Sequence, residues 1–332
     1  MSSQIDAALV AVTPRRISST RVLLGNPASV LLAAAVLFFA LLEPKFLSPY
    51  NIVNIAEQSS AVGLMTVGLA LVLFLGGIDL SIPAVMAAAA VVGATVMVAT
   101  QNPFLGVAVM MVVGVAGGLL NGIAVAVLGL VPFAVTLATM TLASGFSVWM
   151  IDGTSIYGMP YEFSLTVMSR IAGIPVSFIL FVAVALGLHW VIRTGLIGRW
   201  FFAIGTNRRA AEICGVPIQR VELSAYIFSG FTAGLAAILL TARLDSAAAT
   251  MGSESVVLDV VASAVIGGVS IYGGRGTVLG AAIGAMFITV VGNGLNLLGF
   301  DYFTAIVVKG AIILLAIGLD SIVTQHIEGA KL

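Results

Sequence analysis

Charged residues are scarce in this sequence. Only 8% of its 332 residues are Asp, Glu, Lys or Arg, whereas roughly a quarter are charged in an average soluble domain. Because 60% of the residues are hydrophobic, we predict a membrane protein. The 14 basic and 14 acidic side chains cancel, so no overall field favours nucleic acid as a partner.

Cysteine and histidine are almost absent, which excludes several kinds of site. The single Cys214 cannot form an intrachain disulfide, and we interpret it as a reduced cytoplasmic thiol. His189 and His326 are too far apart in the sequence to indicate a metal site. The sequence also lacks a phosphate-binding loop, a Ser-His-acid triad and the H-E-x-x-H motif. We therefore expect no metal, no cofactor bound by this chain, and no catalysis by this chain alone.

Long apolar runs, in contrast, are frequent. A helix needs about 20 apolar residues to cross a bilayer, and helices satisfy their own backbone hydrogen bonds there. The fold class is therefore predicted to be an all-α membrane protein, a bundle of about ten transmembrane helices. The predicted spans are 28–44, 55–76, 82–99, 104–130, 132–151, 175–193, 221–243, 255–271, 277–298 and 303–323. The run 255–271 is short and contains Asp259, so it either spans or re-enters on one side.

The positions of Lys and Arg predict the orientation, because positively charged loops near spans stay in the cytoplasm. Placing the N-terminus inside leaves three basic residues outside: Lys45, Arg170 and Arg243. Ten then lie inside: Arg15, Arg16, Arg21, Arg193, Arg199, Arg208, Arg209, Arg220, Arg275 and Lys331. We predict a cytoplasmic tail 1–27, a transmembrane domain 28–323 with a long cytoplasmic loop 194–220, and a cytoplasmic tail 324–332.

Glycines recur at intervals of four residues in several runs, a spacing that lets helix backbones approach closely. We expect these glycines to pack the bundle. They are Gly114, Gly118 and Gly122; Gly230 and Gly234; and Gly276, Gly280 and Gly284.

The stretch TNRRAAEICG in the loop 194–220 predicts a short helix. Asn207 is a good N-cap, and Gly215 followed by Pro217 supplies a stop. Two interpretations are open. The helix is either a surface connector that carries charge for orientation, or a docking element for a cytoplasmic partner.

Asp79 lies in the otherwise apolar stretch LVLFLGGIDLSIPAVM. A buried carboxylate without partners is costly in hydrocarbon, so we expect Asp79 to face protein, water or a helix end. In the first interpretation Gly76 and Gly77 break one helix, and Asp79 or Ser81 caps the next. In the second, Asp79 positions the cytoplasmic end of a pathway or contacts Arg275.

Lys309 and three asparagines are further polar groups in or near predicted spans. Lys309 is expected either to extend toward the interface or to pair with Asp301 or Asp259. The three amides are expected to join helices by hydrogen bonds or to face the hydroxyls of a substrate. They belong to Asn121, Asn293 and Asn296.

Four acidic residues lie in the predicted external loops, where a soluble partner would dock. They are either docking residues or ordinary solvated loop residues. They are Asp152, Glu162, Asp245 and Glu254.

Several segments together resemble the permease subunits of ribose-type sugar ABC transporters, the family that includes xylose, galactose and autoinducer-2 importers. The resemblance covers nearly the whole chain after Pro44. It is carried by PKFLSPYNIVNI, GGIDLS, GLLNG, GRWFFAIGTNRRAAEICGV, AVIGGVSIYGGRGTVLGAAIGA, NGLNLLG and VKGAIILLA.

The resemblance implies a permease dimer, of two identical or two related chains, in the bacterial inner membrane among its lipids. Two cytoplasmic ABC ATPase subunits would bind ATP and Mg, and a periplasmic sugar-binding protein would deliver substrate. The segment 207–215 would be the coupling helix, with contacts from Asn207, Arg208, Arg209, Ala210, Ala211, Glu212 and Gly215. Family members often carry an acidic residue where Arg208 and Arg209 stand. Either the partner surface is more acidic here, or the pair only fixes orientation.

We therefore predict a non-enzymatic permease that moves a monosaccharide or similar small polyol. The main alternative is an ion-coupled secondary sugar transporter working alone, for which Asp79, Asp259 and Lys309 are the plausible ion-coupling residues. A passive channel is a third possibility, and a membrane scaffold without transport activity is a fourth. Asp79, Ser81, Asn121, Asn293, Asn296 and Lys309 are the candidates for pathway or gating residues.

Overall fold

The structure is a computed structural model that describes residues 27–329. Almost all of the predicted N-terminal tail 1–27, including its three arginines, lies outside the described residues, as does Lys331. The helices are α1 Pro27–Leu42, α2 Pro49–Phe74, α3 Ile82–Thr100, α4 Pro103–Gly122, α5 Pro132–Met150, α6 Tyr161–Val167, α7 Val176–Thr194, α8 Leu196–Thr206, α9 Arg208–Ile213, α10 Ile218–Leu244, α11 Glu254–Ile266, α12 Val278–Leu297 and α13 Tyr302–Gly329.

Eight of the helical segments described are long and apolar enough to cross a membrane. They correspond to the predicted spans from the second to the ninth, and the segment for the predicted span 255–271 is Ala249–Ile266. The first and last predicted spans match shorter apolar helices, Ala28–Leu42 and Tyr302–Leu315. The all-α membrane class is thus confirmed, while the count of ten and the orientation stay predictions.

Strands are confined to two small antiparallel pairs in the part of the chain described. In one, β1 (Ser155–Ile156) pairs with β4 (Ala247–Ala248). In the other, β2 (Arg170–Ile171) pairs with β3 (Ile174–Pro175). The first pair joins the connection after α5 to the connection after α10, and thereby fixes two long loops to each other.

The interior of the bundle is built mainly from α2, α3, α10 and α12. Between 61% and 83% of the apolar window of each of these helices is buried inside the protein, compared with 22% for α4, α5 and α7. Hydropathy does not separate the two groups, because a side chain that faces lipid is as apolar as one that faces the core.

Glycines bring α4 and α10 into close contact, which agrees with the packing role predicted for them. A Cβ atom on Gly230 would lie 2.8 Å from the Cα atom of Gly118, which leaves no room for a side chain. The same holds between α12 and α11, where a Cβ atom on Gly284 would lie 2.9 Å from the backbone nitrogen of Gly267. These glycines act in helix packing.

The loop 194–220 contains more structure than the sequence predicted. In addition to the short helix at 208–213, α8 occupies Leu196–Thr206 and buries Phe201 and Ile204 against the bundle. This helix was not predicted, because its 11 residues are too few for a span and lie in a segment interpreted as a connector.

Candidate functional site

The predicted short helix is present as α9, with both predicted boundaries. The side chain of Asn207 accepts a hydrogen bond from the amide of Ala210 at 3.0 Å, which caps the helix. Gly215 ends it with a φ of 76°, a left-handed conformation that glycine adopts without strain. Ala211 is buried, whereas its neighbours on α9 are exposed. The helix is therefore anchored along one side and free along the other.

The structure separates the roles of Arg208 and Arg209. Arg208 forms an ion pair with Glu222, a carboxylate on α10 that is only 5% exposed. Arg209 is exposed on α9. Glu222 was not among the predicted site residues, because a lone carboxylate in the first turns of a span is typical of an interfacial charge. Arg208 thus joins α9 to the long helix α10.

An exposed apolar side chain, Ile213, lies on the free side of α9. It is 81% exposed and is flanked by Glu212 and the free thiol of Cys214, both exposed. Ile213 is therefore the large apolar side chain that α9 presents outward. Ile213 was not among the predicted site residues.

Asp79 is fully enclosed by protein and accepts three hydrogen bonds. Its Oδ1 accepts from the amide of Ser81 at 3.0 Å and from the hydroxyl of Ser81 at 2.6 Å. Its Oδ2 accepts from the hydroxyl of Ser229 on α10 at 2.7 Å. The chain of bonds continues outward, because Asn121 donates to Ser81 at 2.8 Å and Thr139 donates to Asn121 at 2.7 Å. The network therefore connects α10, the start of α3, α4 and α5.

The capping interpretation of Asp79 is wrong in its details. Ser81 holds the N-cap position of α3, but its side chain makes no capping hydrogen bond. Asp79 instead accepts from Ser81 in the turn before the helix, and bonds across to Ser229, which lies about 16 Å along α10 from its first residue. Arg275 is not among the hydrogen-bond or ion-pair partners of Asp79 in the described chain. The expectation that Asp79 faces protein is confirmed.

The glycine-rich segments around residues 76 and 273 pack against each other beside α8. The amide of Gly274 donates to the carbonyl of Phe74 at 3.0 Å. A Cβ atom on Gly76 would lie 3.3 Å from the carbonyl oxygen of Tyr272. This junction ties the end of α2 to the connection between α11 and α12.

At the opposite end of the bundle, Asn293 of α12 and Asn51 of α2 form a reciprocal amide pair, with hydrogen bonds of 2.8 and 2.9 Å. The prediction of an interhelical role for Asn293 is confirmed, and Asn121 joins helices in the same way. Asn296 makes no such bond in the described residues but lines a cavity of about 380 Å³. The cavity is lined by Lys45, Ser48, Tyr50, Asn51, Asn54, Gln58, Arg243, Asn293, Asn296 and Leu297.

Lys309 pairs with Asp259, one of the two predicted partners. Its ammonium lies 2.8 and 2.9 Å from the two carboxylate oxygens, which joins α13 to α11. Asp301 has a different role, because it accepts from the amides of Phe303 and Thr304 at the start of α13. Hydrogen bonds from Thr304 to its side chain lower the pKa of Asp301.

The four predicted docking carboxylates are all exposed, on the side of the bundle where β1 pairs with β4. Asp245 accepts a hydrogen bond from Ser164 of α6 at 2.9 Å, which brings it near the helix that carries Glu162. Asp152 follows α5, and Glu254 begins α11. Their role in docking stays a prediction.

Comparisons with known proteins agree on one class. A family model described as "Branched-chain amino acid transport system / permease component" matches residues 51–317. The ribose import permease protein RbsC of Bacillus subtilis (strain 168) is 38% identical over 287 residues, covering 86% of this chain and 89% of the relative. No solved structure matches.

Two other relatives carry different sugars in their names. The D-allose transport system permease protein AlsC of Escherichia coli (strain K12) is 37% identical, over 89% of this chain and 91% of its own. The galactose/methyl galactoside import permease protein MglC of Haemophilus influenzae is 32% identical, over 84% of this chain and 89% of its own. The similarity therefore extends across most of both chains in each case.

Proposed function

Because this chain belongs to the ABC-transporter permease family, as a ribose-type sugar permease, we propose that it carries a monosaccharide or similar small polyol across the bacterial inner membrane. The chain supplies the path, and ATP with Mg is bound and hydrolysed on separate cytoplasmic subunits. A periplasmic binding protein delivers the sugar. Two copies, or this chain with a related permease, complete the membrane part, with about ten spans per chain and both termini cytoplasmic.

The observation that carries this proposal is the construction of α9. A helix that transmits force from a partner must be fixed to the bundle and must also present a contact surface. Ala211 and the ion pair between Arg208 and Glu222 fix α9 to the bundle, while Arg209 and Ile213 are exposed to a partner. A displacement of α9 is then passed directly to α10, which runs from Ile218 to Leu244.

The polar cavity at the other end supports a hydroxylated substrate. Five of its lining residues are amides, Asn51, Asn54, Gln58, Asn293 and Asn296, and amides both donate and accept hydrogen bonds, as sugar hydroxyls do. We assign this cavity to the outer part of the path. Rocking of the bundle between outward-open and inward-open forms would alternate access to it.

Reconstitution tests the proposal. The chain, its ATPase subunits and its binding protein are placed in proteoliposomes, and uptake of D-ribose, D-allose and D-galactose is measured with ATP inside or outside. We expect sugar flux only when ATP reaches the ATPase side and all components are present. Flux by the chain alone, driven by a proton or sodium gradient, would instead establish the secondary transporter.

A matched pair of variants tests the role of α9. Ile213→Asp should reduce sugar-stimulated ATP hydrolysis and flux at least tenfold, because it places a charge where an apolar contact is expected. Ile174→Asp, at an exposed isoleucine in β3, is the control and should leave both unchanged. Equal activity of the two variants would contradict the coupling role of α9.

A further inference from the structure

A cavity of about 470 Å³ lies beside the ion pair that anchors α9. Its wall includes Arg208, Glu222 and Tyr226, together with Gly76 and Gly77 from the turn after α2. The volume is within the range of about 300–1,000 Å³ that is typical of small-molecule sites. It is separate from the amide-lined cavity described above, and shares no lining residue with it.

Two buried polar atoms in this wall have no hydrogen-bond partner in the part of the chain that the structure describes. They are the hydroxyl of Tyr226 and the Oε2 atom of Glu222. Tyr226 is 2% exposed, and its hydroxyl lies beside Gly77, where a Cβ atom would come within 3.0 Å of it. A buried polar group without a partner costs about 1–3 kcal/mol. A ligand that forms hydrogen bonds with both atoms would remove this free-energy cost.

The chemistry of the wall selects a neutral, hydroxyl-rich ligand. The carboxylate of Glu222 only accepts hydrogen bonds when ionised, the guanidinium of Arg208 only donates, and the phenol of Tyr226 does both. A sugar hydroxyl also does both, so a polyol can satisfy all three. Because Arg208 and Glu222 neutralise each other, this wall carries no net charge that would favour an anion or a cation.

A second cavity, of about 660 Å³, adjoins the first one. The two share Gly129 and Arg208 as lining residues, and the second is lined further by Glu212, Gln219 and Arg220. Arg208 therefore lines both spaces. Because it is the first residue of α9, any movement of α9 carries it toward or away from Glu222.

We propose that the 470 Å³ cavity is an inner binding station for the hydroxyls of the transported sugar, held by Tyr226 and Glu222, and that Arg208 closes its outlet. This inference rests on the proposed function and adds to it a specific site. When α9 shifts, Arg208 leaves Glu222, and the way to the second cavity opens. Release of the sugar is thereby coupled to the movement of α9, the helix that contacts the ATPase subunit.

Tyr226→Phe provides the decisive variant, since it removes one oxygen that has no partner in the described part of the protein. A purely structural role predicts unchanged or slightly higher thermal stability and unchanged flux. A role in binding the sugar predicts the same stability as the purely structural role. It also predicts a loss of about 2- to 12-fold in the flux of D-ribose, D-allose or D-galactose, because one hydrogen bond to the sugar is lost. Ser177→Ala is the control, because it removes another buried hydroxyl without a partner among the described residues, outside this cavity.

Flux is measured in proteoliposomes with the ATPase and binding protein, and unfolding of each variant is followed in detergent. Lower flux for Tyr226→Phe alone, with unchanged unfolding, supports the station. Equal flux in both variants and in the unchanged chain overturns the station and leaves the proposed function intact. Absence of ATP-driven flux in the unchanged chain overturns the proposed function, and the station with it.

Discussion

Replacing Asp79 by alanine should destabilise the protein strongly, because three donors would lose their acceptor at once. The amide and hydroxyl of Ser81 and the hydroxyl of Ser229 all point at its carboxylate, and Asp79 is 3% exposed. Leaving a buried donor unsatisfied costs about 1–3 kcal/mol. Some relaxation of the two hydroxyls is expected, so we predict a total loss of about 3–5 kcal/mol.

Asp79→Asn should be much milder. An asparagine keeps one carbonyl oxygen for Ser81 and presents an amide nitrogen to Ser229, whose hydroxyl must then turn to accept. That exchange disturbs one hydrogen bond of the three, so we expect a loss of about 1 kcal/mol. The two variants thereby separate the loss of one partner from the loss of the whole network. If Asp79 positions the pathway, Asp79→Asn should also reduce flux, and unchanged folding and flux would reject that role.

A double-mutant cycle with Ser229→Ala provides the assay. Unfolding of the purified chain in mixed micelles is followed by denaturant titration, and the four free energies of unfolding are compared. The partners are 150 residues apart in the sequence, so coupling can arise only from the folded contact. We expect a coupling energy of about 1–3 kcal/mol between positions 79 and 229. Additivity within about 0.3 kcal/mol would refute the assignment of Asp79 to this network.

Three more changes have defined outcomes. Gly230→Ala should cost about 1–3 kcal/mol in unfolding free energy, because its methyl group would enter the backbone of α4, whereas Gly145→Ala, at an open position, should cost nothing. Asn207→Ala should lower ATPase coupling and remove about 1 kcal/mol from α9, seen as faster amide exchange there. Lys309→Met should cost about 3–5 kcal/mol by leaving Asp259 without its partner, and adding Asp259→Leu should recover most of it.

Each of these has an opposite result that would count against the structure. Equal stability of the two glycine variants would place α4 and α10 farther apart than they are here. Unchanged exchange in α9 after Asn207→Ala would mean that the cap does not hold the helix. If the double variant at positions 309 and 259 is no more stable than Lys309→Met, the ion pair between Lys309 and Asp259 is contradicted.

Local signals in the sequence were sufficient for several features of the fold. The capped helix α9 could be predicted because Asn207 and Gly215 act on the backbone within one helical turn. Glycine spacing predicted close helix packing, since residues four apart lie on one face of a helix, but only the structure showed that α4 packs against α10. Relatives with the same motifs support the class.

Local sequence signals could not predict which distant polar groups pair with each other. The sequence left Lys309 with two partners, and only the packing of α11 against α13 selected Asp259. It offered no reason to connect Arg208 with Glu222, although they are only 14 residues apart. The signal in that case was weak, because a carboxylate near the end of a span is usually interfacial.

By itself the sequence determined that this is an apolar helical bundle with a short capped helix between two of its spans, because composition, hydropathy and capping act locally along the chain. Tertiary structure alone decided which helices form the interior, which carboxylate meets which donor, and where cavities lie. In a membrane protein the lipid-facing and buried sides of a helix are equally apolar, so periodicity does not reveal its neighbours. Those neighbours are set by the close fit of glycines and by the few buried polar groups that must find a partner.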